Sequence, residues 1–185
     1  MISVRADGRA ETVAAEALRG FAAGVFERAG MRRADAALVA EVLVWANLRG
    51  VDTHGVTRIP RYVELIEAGD MNPNAHIAVR TETPASVLIE ADRAAGPVAM
   101  MRGTDAALRK AREAGIGLAL VRGTTHTAAL GYYTLAAANQ GMAAIALAAA
   151  WPIVAYHGAR AAGVATTPLT IAVPRSEPPV LDLAT

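Results

Sequence analysis

The sequence predicts an α/β protein that begins with a small helical unit, and three patterns support that prediction. Apolar residues recur at helical spacing through roughly the first seventy residues. Short β-branched runs then alternate with helical segments, as in a layered helix-and-sheet domain. No Asp, Glu, Lys or Arg occurs between Arg122 and Arg160, which indicates a buried core or a pocket wall. We expect a helical domain over residues 1–75 and an α/β domain over residues 76–185.

The N-terminal domain is predicted to contain three amphipathic helices. Their apolar residues recur about every three to four positions, and a glycine follows each segment closely, as expected at a helix C-terminus. The three segments are residues 11–28, 35–48 and 56–68. Pro60 lies inside the third segment and opposes a regular helix there, because proline has no amide hydrogen to donate.

The second domain is predicted to alternate strands with helices. Short apolar runs favour strands at residues 85–91, 116–121, 142–149 and 179–183. Longer segments favour helices at residues 96–114 and 130–140. The last strand is unusual because it lies two residues from the end of the given sequence, whereas the edge of a sheet needs a covering or pairing element.

Composition and charge exclude several classes of protein. The chain has 185 residues and no cysteine, which rules out disulfides, thiolate metal ligands and a cysteine nucleophile. Its net charge of +1 offers no long-range attraction for nucleic acid, so we expect no such partner. We expect no membrane partner, because the longest apolar stretch, residues 142–156, is shorter than the roughly 20 residues that a span needs. The first 20 residues contain no apolar signal region, so a cytoplasmic location is expected.

Familiar phosphate-binding and metal-binding motifs are missing from the sequence. There is no G-x-x-x-x-G-K-[ST] loop. The Gly115-Ile116-Gly117 segment lacks both the third glycine and the following helix of the Rossmann fingerprint. The histidines form no H-E-x-x-H pair, so we expect no metal site. These histidines are His54, His76, His126 and His157.

The densest group of polar residues lies between Arg49 and Tyr62. In a helix starting at Val56, Arg58 and Tyr62 are four positions apart and share a face, with His54 one turn earlier. A guanidinium can clamp a carboxylate with two parallel hydrogen bonds, and an imidazole transfers protons near neutral pH. That combination suits a site for a small 2-oxo or 2-hydroxy acid. The alternative is a solvated helix that is rich in arginine.

Two further residues could contribute to the same chemistry. His126 follows the strand predicted at 116–121, at the end where open α/β sheets bind ligands, and could act as an acid, a base or a cofactor contact. Its alternative is a core histidine with satisfied hydrogen bonds. Asp182 lies among apolar neighbours, and a buried carboxylate needs a partner such as an imidazole. Its alternative is a simple strand end.

These clusters, in this order, resemble the malate/L-lactate/L-sulfolactate dehydrogenase family, which also includes ureidoglycolate dehydrogenases and cyclic-imine reductases. The matching segments are Asp52-Thr53-His54-Gly55-Val56-x-Arg58 with Tyr62, Ala68-Gly69-Asp70-Met71-Asn72-Pro73, Thr125-His126 with Gly131-x-Tyr133, Pro168, and Val180-Leu181-Asp182-Leu183-Ala184-Thr185. The resemblance implies that the helical unit is followed by an incomplete mixed-sheet domain that binds NAD(P) without a Rossmann fold.

The resemblance also implies an oxidoreductase that uses NAD or NADP to move a hydride to or from a small 2-hydroxy or 2-oxo acid. By this likeness, His54 handles the proton, Thr53 positions His54, and Asp182 orients it. Arg58 and Tyr62 are expected to bind substrate. His126 is a rival for the proton-handling role. The segment expected to border the cofactor is His126, Thr127, Ala128, Ala129 and Leu130.

Several positions depart from the family pattern. The family's serine before the histidine is Thr53, its His-Phe-Gly is His126-Thr127-Ala128, and its Gly-Thr-Asn-Pro is Ala165-Thr166-Thr167-Pro168. The resemblance implies a homodimer. Family members continue well beyond the segment around Asp182, so a complementing second chain is the other partner expected. The alternative is a truncated, non-catalytic family member that binds a ligand or serves as an assembly subunit.

Overall fold

A computed structural model of the chain describes residues 2–6 and 9–184, with side chains described from residue 12 to residue 184. The chain divides into two compact units, Met1–Ala129 and Leu130–Thr185. Within the described residues, no helix is both long enough and apolar enough to cross a bilayer.

The division into units falls at a different point from the predicted domain boundary. The predicted boundary, between residues 75 and 76, lies inside the first unit. The physical reason is a small core that forms across it: Ala75 is buried in one cluster with Ala91, Ala94 and Ala99. The helical segment and the first sheet are therefore parts of one compact body.

Described residues of the first unit form four helices and five strands. In chain order these are β1 (Ile2–Ala6), β2 (Arg9–Val13), α1 (Ala15–Arg28), α2 (Arg33–Leu48), α3 (Ile59–Glu67), β3 (Ala78–Glu82), β4 (Ser86–Glu90), α4 (Gly96–Ala114) and β5 (Leu118–Arg122). β1 and β2 form an antiparallel hairpin. β3, β4 and β5 form a mixed sheet in that order, with β3 antiparallel and β5 parallel to β4. The predicted α/β class with a mixed sheet is confirmed.

Helix α4 matches its prediction, whereas other elements differ. α4 ends at Ala114, where Gly115 adopts a left-handed φ of 80°, the usual glycine stop. The first predicted helix begins at Ala15 instead of residue 11, because residues 9–13 pair with β1. No apolar pattern predicts β3, since four of its five residues are exposed.

The third helix begins later than predicted and thereby accommodates its proline. Two short 3-10 turns, Asp52–His54 and Val56–Arg58, precede α3. α3 starts at Ile59, so Pro60 lies in its first turn, where the missing amide hydrogen costs no helical hydrogen bond. The predicted regular helix from Val56 is therefore wrong at its start, because residues 56–58 form a 3-10 turn and Arg58 is the residue just before α3.

The core of the first unit is built on α2, half of whose 16 residues are buried. Phe26 of α1 and Tyr62 of α3 are also completely buried, and their ring centroids lie 6.1 Å apart. Burying an aromatic ring of this size contributes roughly 2–3 kcal/mol to folding. The Tyr62 ring is thus held by the core, which fixes the position of its hydroxyl.

The second unit consists of one helix and a three-stranded antiparallel sheet. These elements are α5 (Gly131–Ala138), β6 (Ala144–Leu147), β7 (Leu169–Ala172) and β8 (Val180–Leu183), with the strands adjacent in that order. Predictions of a helix at 130–140 and strands at 142–149 and 179–183 are confirmed, whereas β7 was not predicted. α5 covers one sheet face, where the buried Thr134 and Thr170 hydroxyls lie 3.0 Å apart.

Large apolar side chains occupy the opposite sheet face, which we term the apolar ladder. Cross-strand register aligns its members in two rows, Ile145–Ile171–Leu181 and Leu147–Leu169–Leu183. Ile145 and Leu147 are 66% and 65% exposed. Trp151 in the following segment is 86% exposed. Burial in a core therefore explains why α5 has no charged residues. It does not explain their absence at the exposed positions of the apolar ladder or around Trp151.

Candidate active site

The loop between α2 and α3 places His54 between two tight turns. The Gly55 amide donates a hydrogen bond to the Asp52 carbonyl at 3.0 Å, and the Arg58 amide donates to the Gly55 carbonyl at 3.0 Å. Such short i to i+3 bonds let the chain turn twice within seven residues. His54 is half-buried at the junction of the two turns.

Thr53 and Arg58 both contact the His54 segment directly. The Thr53 hydroxyl oxygen Oγ1 lies 3.0 Å from Nδ1 of His54. Arg58 donates a hydrogen bond from Nε to the Thr53 carbonyl oxygen at 2.5 Å. The guanidinium is therefore fixed beside His54 through one nitrogen, and its two terminal nitrogens are not needed for that bond.

His126 comes from the loop after β5 and stacks beside His54. The two imidazole centroids lie 5.3 Å apart, with their planes inclined by 30°. The buried Tyr62 hydroxyl lies 2.8 Å from Nδ1 of His126 and 3.2 Å from the His126 carbonyl oxygen. The structure thus brings His54, Thr53, Arg58, Tyr62 and His126 together within the first unit.

Burial and charge separate the proton affinities within this cluster. Burial lowers the pKa of His126 to about 4, and the positive charges of Arg58 and His54 act in the same direction. Burial also raises the pKa of Tyr62 far above its usual range, against a smaller opposing effect of Arg58. At neutral pH, His126 is a neutral imidazole that is hydrogen-bonded to a neutral phenol.

The depressed pKa of His126 predicts that acid destabilises the protein. The pKa falls from 6.5 to about 4 on folding, so between those values the unfolded chain binds a proton that the folded chain does not. Stability is therefore complete above about pH 6.5 and declines as the pH falls toward 4, by up to about 3 kcal/mol from this group. Urea unfolding at several pH values measures the decline.

Two histidine variants test whether His126 causes this dependence of stability on pH. His126→Gln should flatten the dependence between pH 6.5 and pH 4, whereas His76→Gln should leave it intact, because His76 is exposed and is not among the groups that lower the pKa of His126. An unchanged slope in His126→Gln would show that another group carries the effect.

The backbone carrying His126 is held against the start of α4. The Thr125 amide and hydroxyl both donate to the Ala94 carbonyl, at 3.2 and 3.1 Å. A Cβ added at Gly96 would lie 2.1 Å from the His126 carbonyl oxygen, so this close approach requires glycine. Ala128 adopts a φ of 55°, the left-handed region in which the family's glycine would be unstrained.

Asp182 lies on β8 and caps α5 within the second unit. Its carboxylate oxygen Oδ2 accepts a hydrogen bond from the Gly131 amide at 2.8 Å. Gly131 is the first residue of α5, where the helix dipole favours a negative charge. The side chain is exposed rather than buried as its apolar neighbours suggested. Its predicted role in orienting His54 stays a prediction.

Asn47 is a residue of this region that the sequence did not single out. It lies near the C-terminal end of α2, and its side-chain amide bonds to both Asp52 and the Val56 amide. An asparagine in the last turn of a helix is common, so no sequence signal distinguished it. Gly55 was the one signal in the sequence, because a glycine next to a candidate catalytic residue often means that another group lies close to the backbone there.

Metal chemistry has no visible support in the described part of the chain. Residues 12–184 contain no group of three or more His, Asp or Glu side chains arranged to hold a metal ion. His157 belongs to the second unit.

The chain is similar in sequence to known proteins of one family. A family model described as malate/L-lactate dehydrogenase matches residues 13–185. The chain belongs to that family. It is 39% identical over 166 residues to a malate dehydrogenase of Pyrococcus horikoshii, which covers 89% of this chain and 46% of the relative. It is 34% identical over 160 residues to a ureidoglycolate dehydrogenase (NAD(+)) of Escherichia coli, which covers 85% of this chain and 46% of the relative.

The fold agrees with a solved structure of the family. The malate dehydrogenase structure from Pyrococcus horikoshii OT3 superposes with a TM-score of 0.93 at 36% identity, covering 100% of this chain and 54% of that one. The resemblance to the malate/L-lactate dehydrogenase family is therefore confirmed. The chain spans about half the length of the relatives that it matches.

Proposed function

We propose that this malate/L-lactate dehydrogenase family chain carries the proton-handling and substrate-binding part of an NAD(P)-dependent oxidoreductase. The substrate class is a small 2-hydroxy or 2-oxo acid. The observation that carries the proposal is the convergence of His54 and Arg58 in one loop, joined through Thr53. The names of the relatives, malate and ureidoglycolate dehydrogenases, support the same class.

His54 is the proton-handling residue in this proposal. Reduction of a 2-oxo acid needs one proton at the carbonyl oxygen, and an imidazole is the side chain best suited to transfer a proton near neutral pH. His126 is the weaker candidate, because a pKa of about 4 leaves it without a proton to donate at neutral pH. In the protonated form of His54 both ring nitrogens carry hydrogen, so Nδ1–H would donate to the Thr53 hydroxyl oxygen and leave Nε2–H for the substrate.

Arg58 binds the substrate carboxylate in this proposal. Its Nε already bonds to the Thr53 carbonyl, so the guanidinium is fixed before substrate arrives. The two terminal nitrogens form the planar fork that matches two carboxylate oxygens. Binding of substrate by Tyr62 stays a prediction, whereas its hydroxyl lies 2.8 Å from Nδ1 of His126. We therefore propose that Tyr62 holds His126 in place.

The segment from His126 to Leu130 would hold NAD or NADP. The support for this is the family resemblance of the segment. His126 and Thr127 are half-buried and would offer the contact surface, whereas Ala128, Ala129 and Leu130 are buried. When bound, the nicotinamide supplies or takes up the hydride at C2 of the substrate. The chain's own residues orient the acid and move the proton.

A binding and turnover experiment tests this proposed function. The 185-residue chain is titrated with NADH and with NADPH by calorimetry, and turnover is assayed with oxaloacetate and pyruvate. Because the relatives are about twice as long, both assays are repeated with a polypeptide corresponding to their second half. Cofactor binding with turnover in either preparation supports the proposal. Binding without turnover, or neither, favours the alternative of a non-catalytic subunit.

A homodimer and a complementing second chain are both compatible with this proposal.

Asp182 offers a prediction that separates stability from catalysis. Asp182→Ala removes the acceptor of the Gly131 amide and should lower the free energy of unfolding by about 0.5–1 kcal/mol. Asp182→Asn keeps an acceptor and should stay near the native stability. If the carboxylate also orients His54, both variants should lose about tenfold or more in kcat. Native kcat in folded Asp182→Asn would leave this residue with the capping role alone.

A further inference from the structure

Asn47 ties together the two ends of the segment that carries His54. Its Nδ2 donates a hydrogen bond to the Asp52 carboxylate oxygen Oδ1 at 2.5 Å. Its Oδ1 accepts a hydrogen bond from the Val56 amide at 2.8 Å. This orientation of the side-chain amide is fixed, because a backbone N–H can donate only to the oxygen and a carboxylate can accept only from the nitrogen.

Gly55 provides the space in which this side chain fits. A Cβ added at Gly55 would lie 2.2 Å from Oδ1 of Asn47, far inside any real contact distance. The φ of Gly55 is −93°, a value open to any residue. Room for the Asn47 side chain, and not backbone freedom, is therefore the reason for a glycine directly after His54.

The Asp52 end of this segment and Asn47 itself are both held in place. The Thr57 hydroxyl donates to the Asp52 carbonyl oxygen at 2.8 Å, which closes the segment from the other side. Asn47 is rooted in α2, which forms the core of this unit. Two bonds from one rigid side chain thus connect the helix to positions two residues before and two residues after His54.

We infer that Asn47 is a positioning residue that sets the orientation of the His54 imidazole for proton transfer. This inference rests on the proposed function, in which His54 handles the proton. Without the two bonds, the segment would keep its local turns and the backbone bond from the Val51 amide to the Ala46 carbonyl of α2, but nothing would tie the residues on both sides of His54 to one side chain of that helix. Misplacing a reacting group by about 1 Å can cost about 100-fold in rate.

An exchange of chemical groups tests the inference. Asn47→Asp sets a second carboxylate against Asp52 and should lower kcat by about tenfold or more, with KM changed less. Combining it with Asp52→Asn restores one amide and one carboxylate: the carboxylate at position 47 accepts from the Val56 amide and from the amide at position 52. The combined variant should recover kcat to within about threefold of the original.

Asn72 supplies a matched control elsewhere in the unit. Its Nδ2 also donates to a carboxylate, that of Asp92 at 2.8 Å, and its Oδ1 also accepts a backbone N–H, from Asn74 at 3.0 Å. Asn72→Ala therefore removes the same two kinds of bond away from His54. It should reduce stability as Asn47→Ala does but leave kcat unchanged.

A readout independent of turnover separates this inference from the proposed function. Nitrogen NMR of the His54 imidazole and hydrogen exchange of the Val56 amide are compared in the original chain, Asn47→Ala and Asn72→Ala. We expect a shifted imidazole signal and about tenfold faster Val56 exchange in Asn47→Ala alone. Unchanged signals in folded Asn47→Ala overturn the inference, whether or not the chain is active. Altered signals without activity in any variant support the positioning and contradict the proposed function instead.

Discussion

Replacing His54 with alanine is expected to lower kcat for reduction of a 2-oxo acid by about 10²–10⁴-fold, with KM changed far less. The reason is that the imidazole supplies a proton in the transition state but is not needed to hold the substrate carboxylate. Arg58 remains beside the Thr53 carbonyl in this variant, since that bond does not involve the imidazole. Steady-state consumption of NADH or NADPH at saturating acid measures the change.

His76→Ala serves as the control for the His54 variant. It removes an exposed imidazole that is not among the groups that lower the pKa of His126, so the same loss of ring is expected to leave kcat unchanged. Turnover at the original rate in folded His54→Ala would reject His54 as the proton-handling residue. His126 would then be the next candidate, despite its depressed pKa.

Replacing Arg58 with leucine is expected to lower kcat/KM by about 10²–10³-fold, chiefly through KM. In the proposed function, the variant loses two charge-assisted hydrogen bonds to the substrate carboxylate. It also loses the bond to the Thr53 carbonyl, so a smaller fall in kcat should accompany the rise in KM. Arg58→Lys keeps the positive charge but not the planar fork of two nitrogens. Its kcat/KM should lie between that of the original chain and that of Arg58→Leu.

Arg61 provides the matched control, because it is exposed on α3 and forms a surface ion pair with Glu64 at 3.0 Å. Arg61→Leu is expected to leave KM unchanged. A second check uses pyruvamide, in which an amide replaces the carboxylate: the penalty of Arg58→Leu should largely vanish. An equal penalty with both compounds would mean that Arg58 does not bind the carboxylate.

Periodicity predicted the helices of this fold better than its strands. α4 shows a complete amphipathic pattern with a glycine stop, and the sequence defined both of its ends. β3 and β7 were missed for different reasons. β3 is mostly exposed and has no apolar run, whereas β7 is only four residues long and follows an irregular segment. Short strands depend on their partners for stability, and one sequence does not contain that information.

Local spacing predicted part of the candidate site, and tertiary packing supplied the rest. Thr53, His54 and Arg58 fall within six residues, so their proximity follows from the chain itself. The contact between Tyr62 and His126 spans 64 residues and depends on how α3 and the loop after β5 pack together. Even the local part was inexact, because the 3-10 turn Val56–Arg58 replaced the first turn of the regular helix that the spacing suggested.

The apolar ladder determines how this chain behaves as a solute. A net charge of +1 gives molecules in solution little mutual repulsion, while an uncovered row of isoleucine and leucine side chains attracts other molecules. Salts such as ammonium sulfate strengthen that attraction because they are excluded from protein surfaces. Salting-out should therefore begin at low concentrations, and calorimetry is best done in dilute chloride buffers, where cofactor binding is not masked by clustering.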